Sequence, residues 1–180
     1  MIAGRAKGRR LSAPPGLDVR PTSDRLREAL FSMLDAHLGG MEGLRVADLA
    51  CGSGALGIEA LSRGAASCAF VDVAPRSLAA ARANLNAVGL DGAAAAFVKE
   101  DVVRWAGRQE AGTLDLALVD PPYAWDGWAQ LLGALAGAAA AVAAESDREV
   151  TPIEGWASLR TRRHGGSVVT VLVPDRDPDR

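Results

Sequence analysis

Four consecutive residues in the middle of this 180-residue chain, Asp120-Pro121-Pro122-Tyr123, have the types and order to act on a nucleobase. They follow an apolar run, 114–119, that reads as a buried strand. The lone pair of an exocyclic amino group is delocalised into its ring, so that nitrogen is a poor nucleophile. Two acceptors that take its two hydrogens favour a pyramidal nitrogen with an available lone pair. The Asp120 carboxylate and a main-chain carbonyl, that of Pro121, supply such a pair. Proline has no N–H and a fixed φ, so the loop and its carbonyls stay rigid. Tyr123 offers a ring face on which a base can stack. In open α/β sheets ligands bind outside the carboxyl ends of strands, and a base must be splayed out of any helix to reach that position. The plain alternative is a Pro-Pro turn that ends a strand.

A second motif lies upstream. Gly52, Gly54 and Gly57 match G-x-G-x-x-G between a strand ending near Asp48 and a helix starting near Ala55. Glycine lets such a loop turn sharply and approach a ligand closely. A dinucleotide would set its pyrophosphate on the helix N-terminus, with Asp72 on the ribose. S-adenosylmethionine has no phosphate; it carries a sulfonium, a zwitterionic amino acid, a ribose and an adenine. Acceptors suit it better: Asp48 for the ammonium side, Asp72 for the ribose hydroxyls, Asp101 for the adenine amino group. Three acidic residues at three successive strand ends exceed what a dinucleotide requires, although each alone also reads as a surface carboxylate or helix cap. Cys51 lies inside the loop, which argues against a thiol nucleophile for carbon-5 pyrimidine methylation.

The elements that must position these motifs alternate. A helix opens at Pro21-Thr22-Ser23-Asp24, capped by Thr22 or Ser23, and ends at Gly39-Gly40. Strands are expected at 44–50, 69–73, 94–98 and 114–119, with helices at 55–63, 75–88 and 125–135. The alanine-rich stretch 134–144 is ambiguous: its tail should be strand by topology, whereas alanine favours helix. Segments 156–163 and 167–173, separated by Gly165-Gly166, read as a terminal β-hairpin. The pattern predicts an α/β fold: a mostly parallel sheet with helices on both faces and an antiparallel C-terminal edge. Residues 1–20 are expected to form a basic arm or small hairpin, 21–175 one domain, and 176–180 a frayed tail.

The net charge of −2 hides an asymmetry: residues 1–27 carry seven basic and two acidic side chains, a net of +5, which leaves −7 for the remainder. A basic arm of this kind suits a polyanion; the alternative is a solvated surface segment. Cys51 and Cys68 fall in no Cys-x-x-Cys or Cys/His cluster, which predicts neither zinc nor a disulfide framework. No metal is expected. The chain opens polar and basic, with no leader-like apolar stretch, and its longest apolar run, 131–144, is shorter than a membrane span. The expectation is a monomeric cytoplasmic protein without membrane association. Trp125 and Trp128 read as packing residues near the shelf rather than RNA-stacking ones. His37 suits the dipole at a helix end. Arg160, Arg162 and Arg163 either extend a polyanion surface or guard an edge strand.

Taken together, DLACGSGALGIEALSRG (48–64), Asp120–Tyr123 and RPTSDRLREALFSML (20–34) closely resemble RsmD-type 16S rRNA guanine-N2 methyltransferases. The resemblance covers roughly residues 1–125; beyond that it is architectural. Ala50-Cys51 departs from it, standing where that family has a bulkier pair. The resemblance implies a Rossmann-like class I methyltransferase that uses S-adenosylmethionine on one guanine of small-subunit ribosomal RNA, free or in an assembly particle. It implies cofactor contacts from Asp48, Ala50, Gly52, Ser53, Gly54, Asp72, Val73, Asp101, Val102 and Thr22, and catalytic roles for Asp120, Pro121, Pro122 and Tyr123. RNA phosphates would meet Arg5, Lys7, Arg9, Arg10 and Arg20. Methylation of adenine N6 or cytosine N4 in DNA or RNA keeps the same shelf chemistry. A nicotinamide-dependent oxidoreductase is the more distant alternative, because it leaves Asp-Pro-Pro-Tyr unexplained.

Overall fold

Alternate residues of the central strands face two separate apolar layers, and this period-2 division builds the molecule. A computed structural model describes residues 1–12 and 24–175. Strands β1 (Arg45–Leu49), β2 (Ser67–Asp72), β3 (Ala94–Lys99), β4 (Leu116–Val119) and β5 (Val142–Ser146) alternate with helices α2 (Ala55–Ser62), α3 (Pro75–Ala87), α4 (Val102–Ala106) and α5 (Trp128–Leu135). Helix α1 (Asp24–Leu38) precedes them, and the hairpin β6 (Trp156–His164) and β7 (Ser167–Pro174) follows. The sheet order is β3-β2-β1-β4-β5-β7-β6; β1 to β5 are parallel and β7 is antiparallel to both neighbours.

Val46, Phe70, Leu116, Leu118, Val169 and Val171 pack on the side of α1, α2 and α3. Their sequence neighbours Ala47, Val71, Ala117, Val119 and Leu172 pack with α4 and α5 on the other side. All four residues of β4 are buried, as a strand covered on both faces by helices must be.

Most expected elements form within a residue or two of their predicted limits; three differ in substance. Of the expected arm or small hairpin over 1–20, the described residues 1–12 hold a single 3-10 turn at residues 4–6 and no strand. They are docked on the domain. Ile2 and Ala3 donate their N–H groups to the buried Glu59 carboxylate, both at 2.9 Å. Ser62 Oγ accepts from Ala6 N and donates to Ala3 O. A Cβ at Gly4 would stand 1.8 Å from the Ser62 carbonyl oxygen, so only glycine permits this approach. The second difference is α4, a short helix that the hydrophobic pattern does not announce, capped by Asp101. Thirdly, α5 starts at Trp128 rather than Trp125. Trp125 N donates to Pro122 O in a turn, and Gly127 is the cap. The alanine-rich stretch divides at Gly137, φ +76°, into the end of α5 and the approach to β5. Among the described residues no helix is long and apolar enough to cross a membrane.

Candidate active site

The register sets the three motifs side by side. Leu49 of β1 lies opposite Val71 of β2 and Val119 of β4. Asp72, Ala50 and Asp120 therefore leave three neighbouring strand ends, spaced by roughly 4.8 Å per strand. Residues that are 48 apart in sequence, Asp72 and Asp120, thus belong to one rim.

The glycine loop is held by the protein's own acceptors. Ala50 has φ +58°, the one non-glycine residue with positive φ among the described residues. That left-handed turn costs an L-residue about 1–2 kcal/mol, and the loop's hydrogen bonds offset it. Cys51 N donates to Val71 O at 3.1 Å and Gly54 N to Cys51 O at 2.7 Å. Gly52 N donates to Asp72 Oδ2 at 3.0 Å, and Gly57 N to Asp48 Oδ2 at 2.8 Å. Asn84, itself buried, donates from Nδ2 to Ser53 O at 3.0 Å and to Ser12 O at 2.9 Å. It thereby ties the end of the docked arm to the loop.

Asp48 is 1% exposed and sits beneath the loop. Burial pushes its carboxyl up to about 8, against the opposing pull of the Gly57 N–H and with a further push from the Asp72 charge. Burial likewise raises the thiols of Cys51 and Cys68, which suits inert packing rather than nucleophilic work. Asp72 is half-buried; its Oδ1 accepts from Ala74 N at 2.8 Å and its Oδ2 from Gly52 N. Each carboxylate oxygen has a second lone pair, so Asp72 still has capacity for a hydroxyl pair. Next to it Val73 is 62% exposed, an apolar face at the rim. Asp101 is exposed and caps α4 through Oδ1, which accepts from Val103 N and Arg104 N at 3.0 Å each. The Val102 side chain is buried in the α4–α5 core, so only its main chain remains for the site. A Cβ built on Gly52 meets nothing within 4 Å, whereas one on Gly57 would stand 2.5 Å from a Phe70 ring carbon. Gly52 thus faces open space, and Gly57 serves helix–sheet packing.

The shelf is less tightly built. Asp120 N reaches Leu49 O at 3.4 Å, joining the ends of β4 and β1. Pro121 is buried, Pro122 exposed, and Asp120 and Tyr123 are half-buried. The Tyr123 hydroxyl hydrogen-bonds with Ser167 Oγ at the start of β7, a partner that no local sequence signal marks. Trp125 and Trp128 form an edge-to-face pair with centroids 5.1 Å apart and belong to the α4–α5 core, so they are packing residues. Arg5, Lys7, Arg9 and Arg10 are all exposed on the docked arm. Thr22 and Arg20 lie outside the described residues. No group of His, Cys, Asp and Glu among the described residues is placed to hold a metal ion.

Comparisons with known proteins agree with this geometry. The family model described as "Conserved hypothetical protein 95" matches residues 1–173. YlbH of Bacillus subtilis is 39% identical over 125 residues, 68% of this chain; the match spans 66% of YlbH, just under two thirds of its length. The ribosomal RNA small subunit methyltransferase D of Haemophilus influenzae is 28% identical over 173 residues, 92% of this chain and 88% of that one. The solved Escherichia coli protein yhhF superposes with a TM-score of 0.80 at 28% identity, over 97% of this chain and 96% of its own. The sheet, its order and its terminal hairpin make the Rossmann-like fold of class I methyltransferases. The chain belongs to the conserved hypothetical protein 95 family, the family of the ribosomal RNA small subunit methyltransferase D proteins.

Proposed function

We propose that this protein transfers a methyl group from S-adenosylmethionine to the exocyclic N2 amino group of a guanine in small-subunit ribosomal RNA. One observation carries the reading: the N–H groups of the three loop glycines are already taken by the protein's own acceptors, and an Asp-Pro-Pro-Tyr shelf adjoins the loop. Gly52 and Gly57 donate to carboxylates, and Gly54 to a carbonyl. A pyrophosphate needs those donors free. A cation flanked by an amino acid and a ribose does not compete for them, and the negative potential of Asp72 favours it. The residues therefore fit S-adenosylmethionine and not a dinucleotide. The similarity to a ribosomal RNA small subunit methyltransferase D supports the choice of substrate.

When bound, the cofactor supplies an electrophilic methyl group on sulfur. The chain's residues do the rest. Asp72 accepts from the ribose hydroxyls, the exposed Val73 face packs against the adenine, and Asp101 with the Val102 main chain addresses the adenine edge. Asp48 holds the loop from beneath through Gly57. Gly52 leaves the space through which a ligand approaches the backbone. At the neighbouring strand end, the base stacks on Tyr123. The Asp120 carboxylate and the Pro121 carbonyl accept its two amino hydrogens and direct the nitrogen lone pair towards the loop. Positioning of two reactants in this way is worth roughly 7–11 kcal/mol, so no strong general base is required. Asp120 or water takes the departing proton. Arg5, Lys7, Arg9 and Arg10, set by the Glu59 and Ser62 contacts, meet RNA phosphates.

The test is incubation of the purified protein with radiolabelled S-adenosylmethionine and small ribosomal subunits or their RNA, with duplex DNA in parallel, followed by nucleoside analysis. Labelled N2-methylguanosine from ribosomal RNA is the expected product. Label on a DNA base would retain the shelf chemistry and overturn the substrate. Absence of label in every pool, with cofactor binding measured, would sink the catalytic reading.

A further inference from the structure

The terminal hairpin places a row of basic side chains in line with the shelf. In the β6–β7 register, Arg160 lies opposite Val171, Arg162 opposite Val169, and His164 opposite Ser167. Directly opposed residues share a face of a sheet. Val169 and Val171 face the α1 side, so Arg160, Arg162 and His164 form one row on that side, roughly 13 Å long at the usual rise per residue. Arg160 and Arg162 line a groove of about 460 Å³ between β6 and α1, with Ala29, Met33 and Leu159 as apolar lining and Ser32 and His37 as polar lining. A bulge between Ser158 and Arg160 turns Leu159 outward, 44% exposed.

Two further features give this groove a direction and a charge. Beyond the groove the same row runs on to the hairpin tip, where His164 lies opposite Ser167 and Ser167 bonds the Tyr123 hydroxyl; the basic row therefore ends beside the proposed base-stacking residue. Both arginines are exposed, and among the described residues neither makes an ion pair or a side-chain hydrogen bond. Arg163, on the opposite face, differs: it lies 4.0 Å from Glu149, which also accepts from Thr161. Charges that merely guard a sheet edge have no reason to gather in a partly apolar groove and leave their acidic neighbours to the other face.

We propose that the groove between α1 and β6 holds the RNA strand adjoining the target nucleotide, with Arg160 and Arg162 on its phosphates and the apolar lining against ribose and base. This rests on the ribosomal RNA reading above. A strand is the occupant because the cations are unneutralised, regularly spaced and continuous with the shelf, whereas a duplex would be held off by the α1 wall. The groove fixes which flanking nucleotides enter, so it bears on target choice as well as affinity.

Filter binding of protein-free 16S ribosomal RNA tests this, with S-adenosylhomocysteine present and KCl varied from about 0.05 to 0.3 M. Each phosphate contact to a single strand contributes about 0.7 to the slope of log affinity against log salt, so R160Q/R162Q should lower the slope by about 1.4. At 0.1 M salt that corresponds to roughly 25-fold weaker binding. R160K/R162K should restore the slope. R163Q, on the other face, should leave it unchanged, as should S-adenosylmethionine affinity in the double variant. If wild-type protein methylates the RNA while R160Q/R162Q keeps full affinity and slope, the groove proposal falls and the function stands. An equal loss in R163Q would also overturn it, because the effect would then be net charge alone. If the wild-type protein neither binds nor methylates this RNA or the assembled small subunit, both readings fall together.

Discussion

Asp48 and Asp120 occupy adjacent strands at the same rim, yet their surroundings differ. Asp48 is sealed under the glycine loop, 1% exposed and bonded to Gly57 N. Asp120 is half-open, anchored by a 3.4 Å main-chain contact and followed by two prolines. The loop carries its geometry in hydrogen bonds made largely within one β-α-β unit. The shelf takes its rigidity from proline and from the hairpin tip, 44 residues away at Ser167. One carboxylate shapes the loop, and the other is the one proposed to meet a substrate. The same residue type serves both because burial and partners, rather than identity, decide which work a carboxylate does.

The largest effects should separate those two carboxylates. Asp120→Ala removes the proposed acceptor for the amino hydrogens, and methyl transfer should fall by about 10²–10⁴-fold, with S-adenosylmethionine affinity by calorimetry nearly unchanged. A large loss of cofactor affinity would move Asp120 into the cofactor site and erase the contrast. Asp48→Asn keeps an acceptor for Gly57 N but cannot ionise. The folded-state value near 8 stands above the ordinary carboxylate value of 3.8. The folded chain therefore binds the proton more tightly than the unfolded one. The resulting stabilisation is fully present below about pH 4 and is lost as pH rises through about 8. Wild-type stability in urea should accordingly decline relative to Asp48→Asn across that window, by a few kcal/mol, since each pH unit between the two values contributes about 1.4 kcal/mol. Parallel stability curves for the two proteins would mean that Asp48 is ionised throughout.

What is legible in the sequence follows the same division. The glycine loop, Asp72 and the alternating elements are readable because their partners are close in sequence and their period is local. The shelf is readable as a motif, but its setting is not. Nothing near Tyr123 announces Ser167, since that contact depends on where the hairpin crosses the sheet. Helix α4 is hidden because five residues carry little periodicity; its one signal is the cap, Asp101, a residue that reads equally well as a ligand contact. The N-terminal stretch looks hairpin-like because its glycines resemble turn residues, whereas Gly4 is there to approach Ser62. Buried Glu59 looks like an ordinary helical surface residue until its donors are found on Ile2, Ala3 and Arg63.

A smaller effect should distinguish two glycines of one motif. At Gly57 an added Cβ would lie 2.5 Å from Phe70, 2.7 Å from Cys68 Sγ and 3.0 Å from Asp48 Cβ. Gly57→Ala should lower folding stability by about 1–3 kcal/mol through overpacking. Gly52→Ala meets no neighbour but must hold φ +52°, at a cost of about 1–2 kcal/mol, and its methyl enters the space assigned to ligand. Calorimetric titration should therefore find Gly52→Ala weaker for S-adenosylmethionine than its stability loss alone accounts for. Equal affinity in Gly52→Ala and wild type would show that no ligand approaches the loop there.

The smallest effect concerns the joint between shelf and hairpin. Tyr123→Phe keeps the stacking face and removes the hydroxyl that meets Ser167. A single net hydrogen bond contributes about 0.5–1.5 kcal/mol. Tyr123→Phe, Ser167→Ala and the double variant form a cycle in which that contact alone should be non-additive. Measured by urea denaturation, the coupling should fall within that range. Measured as KM for ribosomal RNA, the same cycle asks whether the joint serves the substrate or only the fold. Coupling in both quantities is expected, because the hairpin tip steadies the ring proposed to receive the base. Coupling in stability without coupling in KM would make Ser167 a plain structural partner and detach the hairpin from the shelf.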